Sequence, residues 1–338
     1  MDHPQAEIVG VFDENKARVQ EILGGLGLAK SLIKDDYRQL IESTKPDLIL
    51  LCPATARHGE WVEKVAFSRA CLLIEKPFAS SLAEASRMIQ ASRENECTLA
   101  INWPLTWVPA HQTAFRLAVT EKAIGQIQSV NYYGGNRGPL WHTFDKMERT
   151  SEQVNIEKPH SWFYQRQSGG GSLLDYLGYG ATLGTWFLEG RIPTDVTSVV
   201  DFHPGLEVDE HSITVCRYPF GLSRMETRWG TFTDPWHHQT QPACGFTLIG
   251  TEGTIRSSDY SQSIRLQNSK YPGGVDIPVD TLANPNRNPI EYVLDRLERG
   301  MPIDGPLSPG ISWGGQRIVD TAFESAQQKK TLDLLNYP

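Results

Sequence analysis

An α/β fold in two parts is predicted: a parallel sheet covered by helices, then a larger and mostly antiparallel sheet. Three observations predict it. Over the first hundred residues, continuous apolar runs such as "PDLILLCP" and "CLLIEKP" alternate with segments of helical periodicity, the pattern of strands buried on both faces between helices. From about Ile127 the texture changes to short strand-like runs separated by turn residues. The length of 338 residues suits two domains, placed here at 1–123 and 124–338.

The elements follow in order. "AEIVGVFD" reads as a buried strand ending in Asp13, the form of the second strand of a nucleotide-binding βαβ unit, whose terminal acid holds a ribose. A helix from about Glu14 to Leu23 follows, and "GGLGL" is its C-cap and turn. Pro46 to Pro53 is the next strand, and a helix follows near Gly59 to Phe67. After "CLLIEKP", the segment "SSLAEASRMIQASRENE" is a helix with Ser81 and Glu84 as a capping box and Leu82, Ala85, Met88 and Ile89 as its apolar stripe. "TLAINWP" is one more strand, and "WVPAHQTAFRLAVTEKAIG" is a helix that bridges to the second part. There, seven strand-like runs from "QIQSVNYYGG" to "SIRLQN" are interrupted by the helix "GSLLDYLGYGATLGTWFL". Two helices close the chain, the last with Ile318, Val319, Ala322, Phe323 and Ala326 on one face.

Composition narrows the function classes. Net charge is -8, with no Lys/Arg run, so no nucleic-acid footprint is visible. No apolar run approaches the ~18 residues of a membrane span. Five cysteines without a C-x-x-C pair suit reduced thiols and the cytoplasm. His237 and His238 are adjacent; neighbouring strand residues face opposite ways, so no metal site is expected from them.

Two short stretches carry chemistry. Lys76 of "EKP" stands at the C-terminal end of a predicted parallel strand, where α/β sheets bind ligands. "GGGSLLDYLGYG" runs three glycines into a helix that presents Asp175 and Tyr179 at i and i+4. A nearby Lys76 is expected to lower the Tyr179 pKa toward that of a useful base, with Asp175 orienting the cluster. Trp141, Trp162, Trp229 and Trp236, with Arg137, His142 and His160, are candidates to line a small-molecule site, an indole being able to cover a ring face and Arg to donate to hydroxyls.

These stretches, with the closing "LSPGISWGGQRIVDTAFESAQQKKTLDL", resemble the Gfo/Idh/MocA oxidoreductases, and the resemblance covers nearly the whole chain in order. It implies a Rossmann-like domain followed by an α/β domain with a large open sheet, and hydride transfer between a nicotinamide and a carbon of a sugar or polyol. It implies catalytic roles for Lys76, Asp175 and Tyr179, with Tyr179 where many members carry His. It implies cofactor contacts from Asp13, Pro53, His58, Glu75 and Asn102, and a homo-oligomer assembled through the open sheet. Thr182 stands where members usually have Asp, a departure from close inositol-dehydrogenase chemistry. Asp13 favours NAD, with NADP possible.

The family's G-x-G-x-x-G should precede Asp13 by about 20 residues. Twelve residues precede it and none forms that motif; "MDHPQAE" resembles the tail of a first helix. The chain as written is therefore expected to lack the first strand of the Rossmann-like sheet and to bind NAD weakly. The alternative function is a catalytically silent, sugar-binding or regulatory relative.

Overall fold

The computed structural model describes residues 6–143, 146–201 and 203–336, so part of "MDHPQAE" lies outside the described residues. Segment 6–12 is not the strand expected of it. Its only ladder contact is a single parallel bridge between Val11 and Ile33, and Ile8 and Val9 are exposed. The reason is pairing: an apolar run becomes a strand only where a neighbour accepts its backbone groups, and no described strand pairs with this segment. Helix α1 (Lys16–Gly25) starts at Asn15, whose side chain accepts from Arg18 N, and α2 (Tyr37–Thr44) is capped likewise by Asp36. The Arg57 guanidinium makes two hydrogen bonds to Glu14, tying this N-terminal layer to the loop after β1.

Strands β1 (Leu48–Leu51), β2 (Cys71–Glu75) and β3 (Thr98–Asn102) pair in parallel in that order. Leu72, Ile74, Leu99 and Ile101 point to one face, where α3 (His58–Val65) and α4 (Leu82–Glu94) cover them with Val62, Ala85 and Met88. Cys71, Leu73 and Ala100 point to the other, under Tyr292 and Val293 of α8 (Pro289–Arg299). This period-2 division explains the unbroken apolar run: both faces are roofed. The capping box on α4 is half formed. Ser81 accepts from Glu84 N, but the Glu84 carboxylate accepts from Gly59 N and Ser80 N instead of reaching back to Ser81.

Helix α5 (Pro109–Phe115) is shorter than its sequence pattern, because the chain widens into a π turn over Arg116–Thr120. The second sheet then forms from β4 (Ile127–Asn136), β5 (Asp195–Val200), β6 (His211–Tyr218), β7 (Gly221–Trp229), β8 (Gly245–Gly250), β9 (Gly253–Ser258), β10 (Ser263–Asn268), β11 (Tyr271–Pro278) and β12 (Leu332–Asp333). Their order is β11-β10-β9-β8-β4-β7-β6-β5-β12, antiparallel except for β4 with β7. The sequence reading missed β11, whose "YPGG" lacks strand character, and the two-residue β12.

Between β4 and β5 lie α6 (Ser151–Glu157) and α7 (Gly178–Phe187). Helices α7 and α9 (Pro309–Gln328) cover one face of the large sheet. Thr182 is fully buried, and a side-chain carbon at Gly315 of α9 would come 2.2 Å from its hydroxyl, so this position serves helix packing. Phe323 departs from the expected apolar face: it is 38% exposed, with the Arg166 guanidinium above its ring. The same α9 reaches the first sheet, where Asp320 accepts a 2.7 Å hydrogen bond from Leu82 N and so caps α4 from outside. Across the other face, Val199, Ile213 and Leu222 are exposed. Among the described residues no helix is long and apolar enough to cross a membrane.

Candidate active site

The C-terminal end of β2 delivers Glu75 and Lys76 to a cleft of about 400 Å³. Cys52, Pro53 and Thr55 form one wall. Trp162, Phe163 and Gly169–Gly171 form the other, and Lys76 and Asp175 both line the cleft. Lys76 Nζ donates a 2.5 Å hydrogen bond to Asp175 Oδ1, joining residues 99 positions apart. The ammonium also lies 5.2 Å from the centre of the Tyr179 ring. The three residues singled out in the sequence are thus gathered at one place.

The glycine run makes this possible. Gly171 has φ +108, and a side-chain carbon there would come 2.7 Å from Asp209 Oδ1; one at Gly170 would meet Phe163 O at 2.2 Å. The chain therefore turns tightly into a π turn over Leu173–Leu177 before α7 begins. A π turn is the kind of local widening found at functional sites, and here it carries Asp175. Tyr179 is held by Trp103 from the end of β3, edge to face at 5.5 Å, and Trp103 in turn donates to Ser312 Oγ. Gly178 leaves room for that ring, since a side-chain carbon there would approach Trp103 to 2.6 Å.

The electrostatics correct one expectation. Burial favours the neutral phenol, and although Lys76 pulls the other way, the Tyr179 pKa rises instead of falling. Burial also works against the charge on Lys76, but the Asp175 carboxylate, with Glu75 nearby, outweighs it and holds the ammonium protonated. The resting cluster is a neutral phenol beside an ammonium–carboxylate pair.

The other expected residues divide. Glu75 accepts from Asn102 Nδ2 at 2.7 Å, so these two form one unit at the cleft, and Pro53 lines its opposite wall. Asp13 accepts from Asn15 N at the start of α1. His58 does not face the cleft. It is 1% exposed, with its ring nitrogens against Phe78 O and Pro53 O, and burial lowers its pKa. It braces two cleft loops from behind. Trp162 lines the cleft, stacked on Phe163 at 3.9 Å. Arg137, Trp141 and His142 do not: Arg137 lies over Trp141 and pairs with Glu148, and His142 packs edge-on against Trp236. Trp229 is also no sugar platform, being 2% exposed with its indole N–H on Asp175 Oδ2. Among the described residues no cluster of three or more His, Cys, Asp or Glu side chains is placed to hold a metal.

Asp209 was not found by sequence reasoning. It lies just before β6, and its Oδ2 accepts from Ser172 Oγ and Leu173 N, anchoring the start of the π turn. Burial raises its pKa from 3.8 to about 6. A carboxyl whose folded-state value is raised contributes stability that is complete below its ordinary value and lost as pH rises through the folded value. Asp209→Asn keeps an acceptor oxygen for both donors and removes that titration. The unfolding midpoint of the variant should therefore gain on the wild type between about pH 4 and pH 7. Parallel curves in thermal melts across that range would rule this out.

Comparison with known proteins gives two family matches. One, described as "Oxidoreductase family, NAD-binding Rossmann fold", covers residues 1–103, and the other, "GFO/IDH/MocA C-terminal domain", covers residues 113–256. A scyllo-inositol 2-dehydrogenase (NAD(+)) of Bacillus subtilis (strain 168) is 23% identical over 254 residues, 75% of this chain and 66% of that protein. A myo-inositol 2-dehydrogenase of Thermotoga maritima is 30% identical over 94 residues, 28% of each chain. The matched segments thus span from about a quarter to just under two thirds of these relatives. Among solved structures, an aldose-aldose oxidoreductase from Caulobacter crescentus complexed with glycerol superposes with TM-score 0.76 at 17% identity, covering 96% of this chain and 91% of that one. A levoglucosan dehydrogenase in complex with NADH and levoglucosan gives 0.76 at 16%, covering 98% and 91%. At such identities the likeness is one of fold.

Proposed function

We propose, from the premise that the chain belongs to the GFO/IDH/MocA family of oxidoreductases with an NAD-binding Rossmann fold, that it transfers a hydride between a nicotinamide and a hydroxyl-bearing carbon of a sugar or polyol. The observation that carries this reading is the Lys76–Asp175 ion pair lining the cleft, with Tyr179 packed against it.

The nicotinamide end of the cofactor fits the residues present. The cleft volume lies in the small-molecule range, and the Glu75–Asn102 unit and Pro53 offer a polar and an apolar wall. When bound, the nicotinamide supplies the hydride chemistry. The protein's own residues then have separate tasks. Lys76 donates to the substrate oxygen and stabilises charge developing on it. Tyr179, kept as a neutral phenol by burial, gives its proton to a carbonyl oxygen in the reducing direction and recovers it in the oxidising one. Asp175 keeps Lys76 charged and aimed. The stacked Trp162 and Phe163 offer an apolar face to the sugar ring. The five free cysteines suit a reducing cytoplasm, and the exposed apolar positions on the open sheet face suit a homo-oligomer.

Asp13 would repel a 2′-phosphate, so NAD is the preferred dinucleotide. Beside Asp13, however, no glycine-rich turn opens a helix among the described residues; α1 begins at Asn15 and Lys16. A pyrophosphate there lacks a ready set of N–H donors. Charge-assisted hydrogen bonds contribute about 1.5–3 kcal/mol each, and two fewer weaken binding on the order of 10²–10⁴-fold. The polypeptide of these 338 residues is expected to bind NAD in the millimolar range and NADP more weakly still. Calorimetric titration of both decides it, and a micromolar constant for either would contradict the expectation.

The function itself is tested by following nicotinamide reduction with a panel of aldoses, inositols and sugar alcohols at saturating NAD. Turnover of at least one supports the reading. Saturable sugar binding with no turnover of any would favour the silent, sugar-binding relative instead.

A further inference from the structure

We infer that Trp229 is a positioning residue, whose indole N–H fixes the Asp175 carboxylate so that Lys76 is aimed into the cleft; the inference rests on the reaction proposed above. The two oxygens of Asp175 have separate partners: Oδ1 accepts from Lys76 Nζ at 2.5 Å and Oδ2 accepts from Trp229 Nε1 at 3.1 Å. A carboxylate held at both oxygens cannot turn about its own axis without leaving a donor unpaired, and an unpaired buried donor is costly.

The contact also spans the molecule. Lys76 follows β2 of the parallel sheet, Trp229 ends β7 of the large sheet, and Asp175 sits between them on the π turn. Trp229–Asp175–Lys76 is thus a continuous polar link from one sheet to the other across the cleft. Strand alternation places Trp229 on the inward side with Met225 and Thr227. Tyr164 and Phe163 pack on its ring with centroids at 5.4 and 6.4 Å, fixing the direction of the N–H. Phe163 lines the cleft, so the residue that aims Lys76 also backs the wall where a substrate would lie.

Trp229→Phe keeps an aromatic ring in this packing and removes the donor, together with part of the indole's bulk. Its turnover number is expected to fall about tenfold or more, the effect of one hydrogen bond to a charged group, while the KM for sugar changes less than about twofold. Lys76→Met is measured beside it. A turnover lost in Lys76→Met but unchanged in Trp229→Phe overturns the inference and leaves the proposed function standing. Activity retained in Lys76→Met takes the ammonium out of the mechanism and overturns the inference with it, whereas a wild type that turns over no sugar overturns the proposed function itself. A second readout needs no turnover: in ¹⁵N-labelled protein the Trp229 indole N–H resonance, assigned by its loss in Trp229→Phe or in Trp229→His, should move upfield in Asp175→Ala, which leaves no acceptor at this position. A resonance that stays in place shows that the indole does not donate to Asp175, and the inference fails whatever the kinetics.

Discussion

Lys76→Met is expected to lower turnover about 10²–10³-fold at saturating sugar and cofactor, the scale of losing one donor to a developing oxyanion. Methionine has nearly the reach of lysine without the charge, so the cleft stays filled. The loss is of two kinds. The substrate oxygen loses the ammonium that stabilises it, and Asp175 loses the partner of its Oδ1, leaving only the Trp229 indole on Oδ2. The ion pair is largely shielded, with side-chain exposures of 23% and 14%. Removing one partner of a buried pair destabilises by about 3–5 kcal/mol in full burial, and partial exposure reduces that here. The variant should therefore melt earlier than the wild type as well as turn over slowly. Lys76→Met that retains wild-type turnover in steady-state assays would remove the ammonium from the mechanism.

Tyr179→Phe is expected to lower turnover by roughly 10²–10⁴-fold, the range for losing general acid–base help, with little change in cofactor affinity. The Phe ring keeps the edge-to-face contact with Trp103, so stability should barely move. The sign of the pH dependence follows from burial. Because the Tyr179 pKa is raised, the phenolate is a minor species near neutrality and grows about tenfold per pH unit below that pKa. Wild-type sugar oxidation should therefore accelerate with pH through the neutral and alkaline range, while carbonyl reduction, which uses the phenol, should not. Tyr179→Phe should flatten the oxidation profile. A wild-type profile already flat in the oxidising direction would mean that another group accepts the proton.

Much of this arrangement was legible in the sequence, and the exceptions have physical causes. The β1–β3 sheet could be read because strands roofed on both faces leave continuous apolar runs. Lys76, Asp175 and Tyr179 could be read because a strand end and a glycine run into a helix each fix a side chain locally. What could not be read depends on partners far away in the chain. Residues 6–12 have strand composition but find only Ile33 to pair with. His58 has the composition of a ligand and is used as a brace between two carbonyls. Arg137, Trp141 and His142 have the chemistry of a sugar site, yet Arg137 pairs with Glu148 and lies over Trp141, and His142 meets Asn136 and Trp236, instead of lining the cleft. Trp229 and Asp209 hold the π turn that carries Asp175, and both act through residues 30 or more positions distant. The pKa of Tyr179 was misjudged because the sequence offers the neighbouring charge but not the depth of burial.

If the Lys76–Asp175–Tyr179 cluster assists hydride transfer itself, the chemical step and not product release must respond to its loss. Single-turnover stopped-flow of the wild type, Lys76→Met and Tyr179→Phe tests it most directly, using a sugar substrate deuterated at the reacting carbon and saturating NAD. The hydride-transfer step is expected to slow by two orders of magnitude or more in both variants, with a primary deuterium isotope effect fully expressed in each. Single-turnover rates unchanged from the wild type in either variant, with any loss confined to product release, would contradict it.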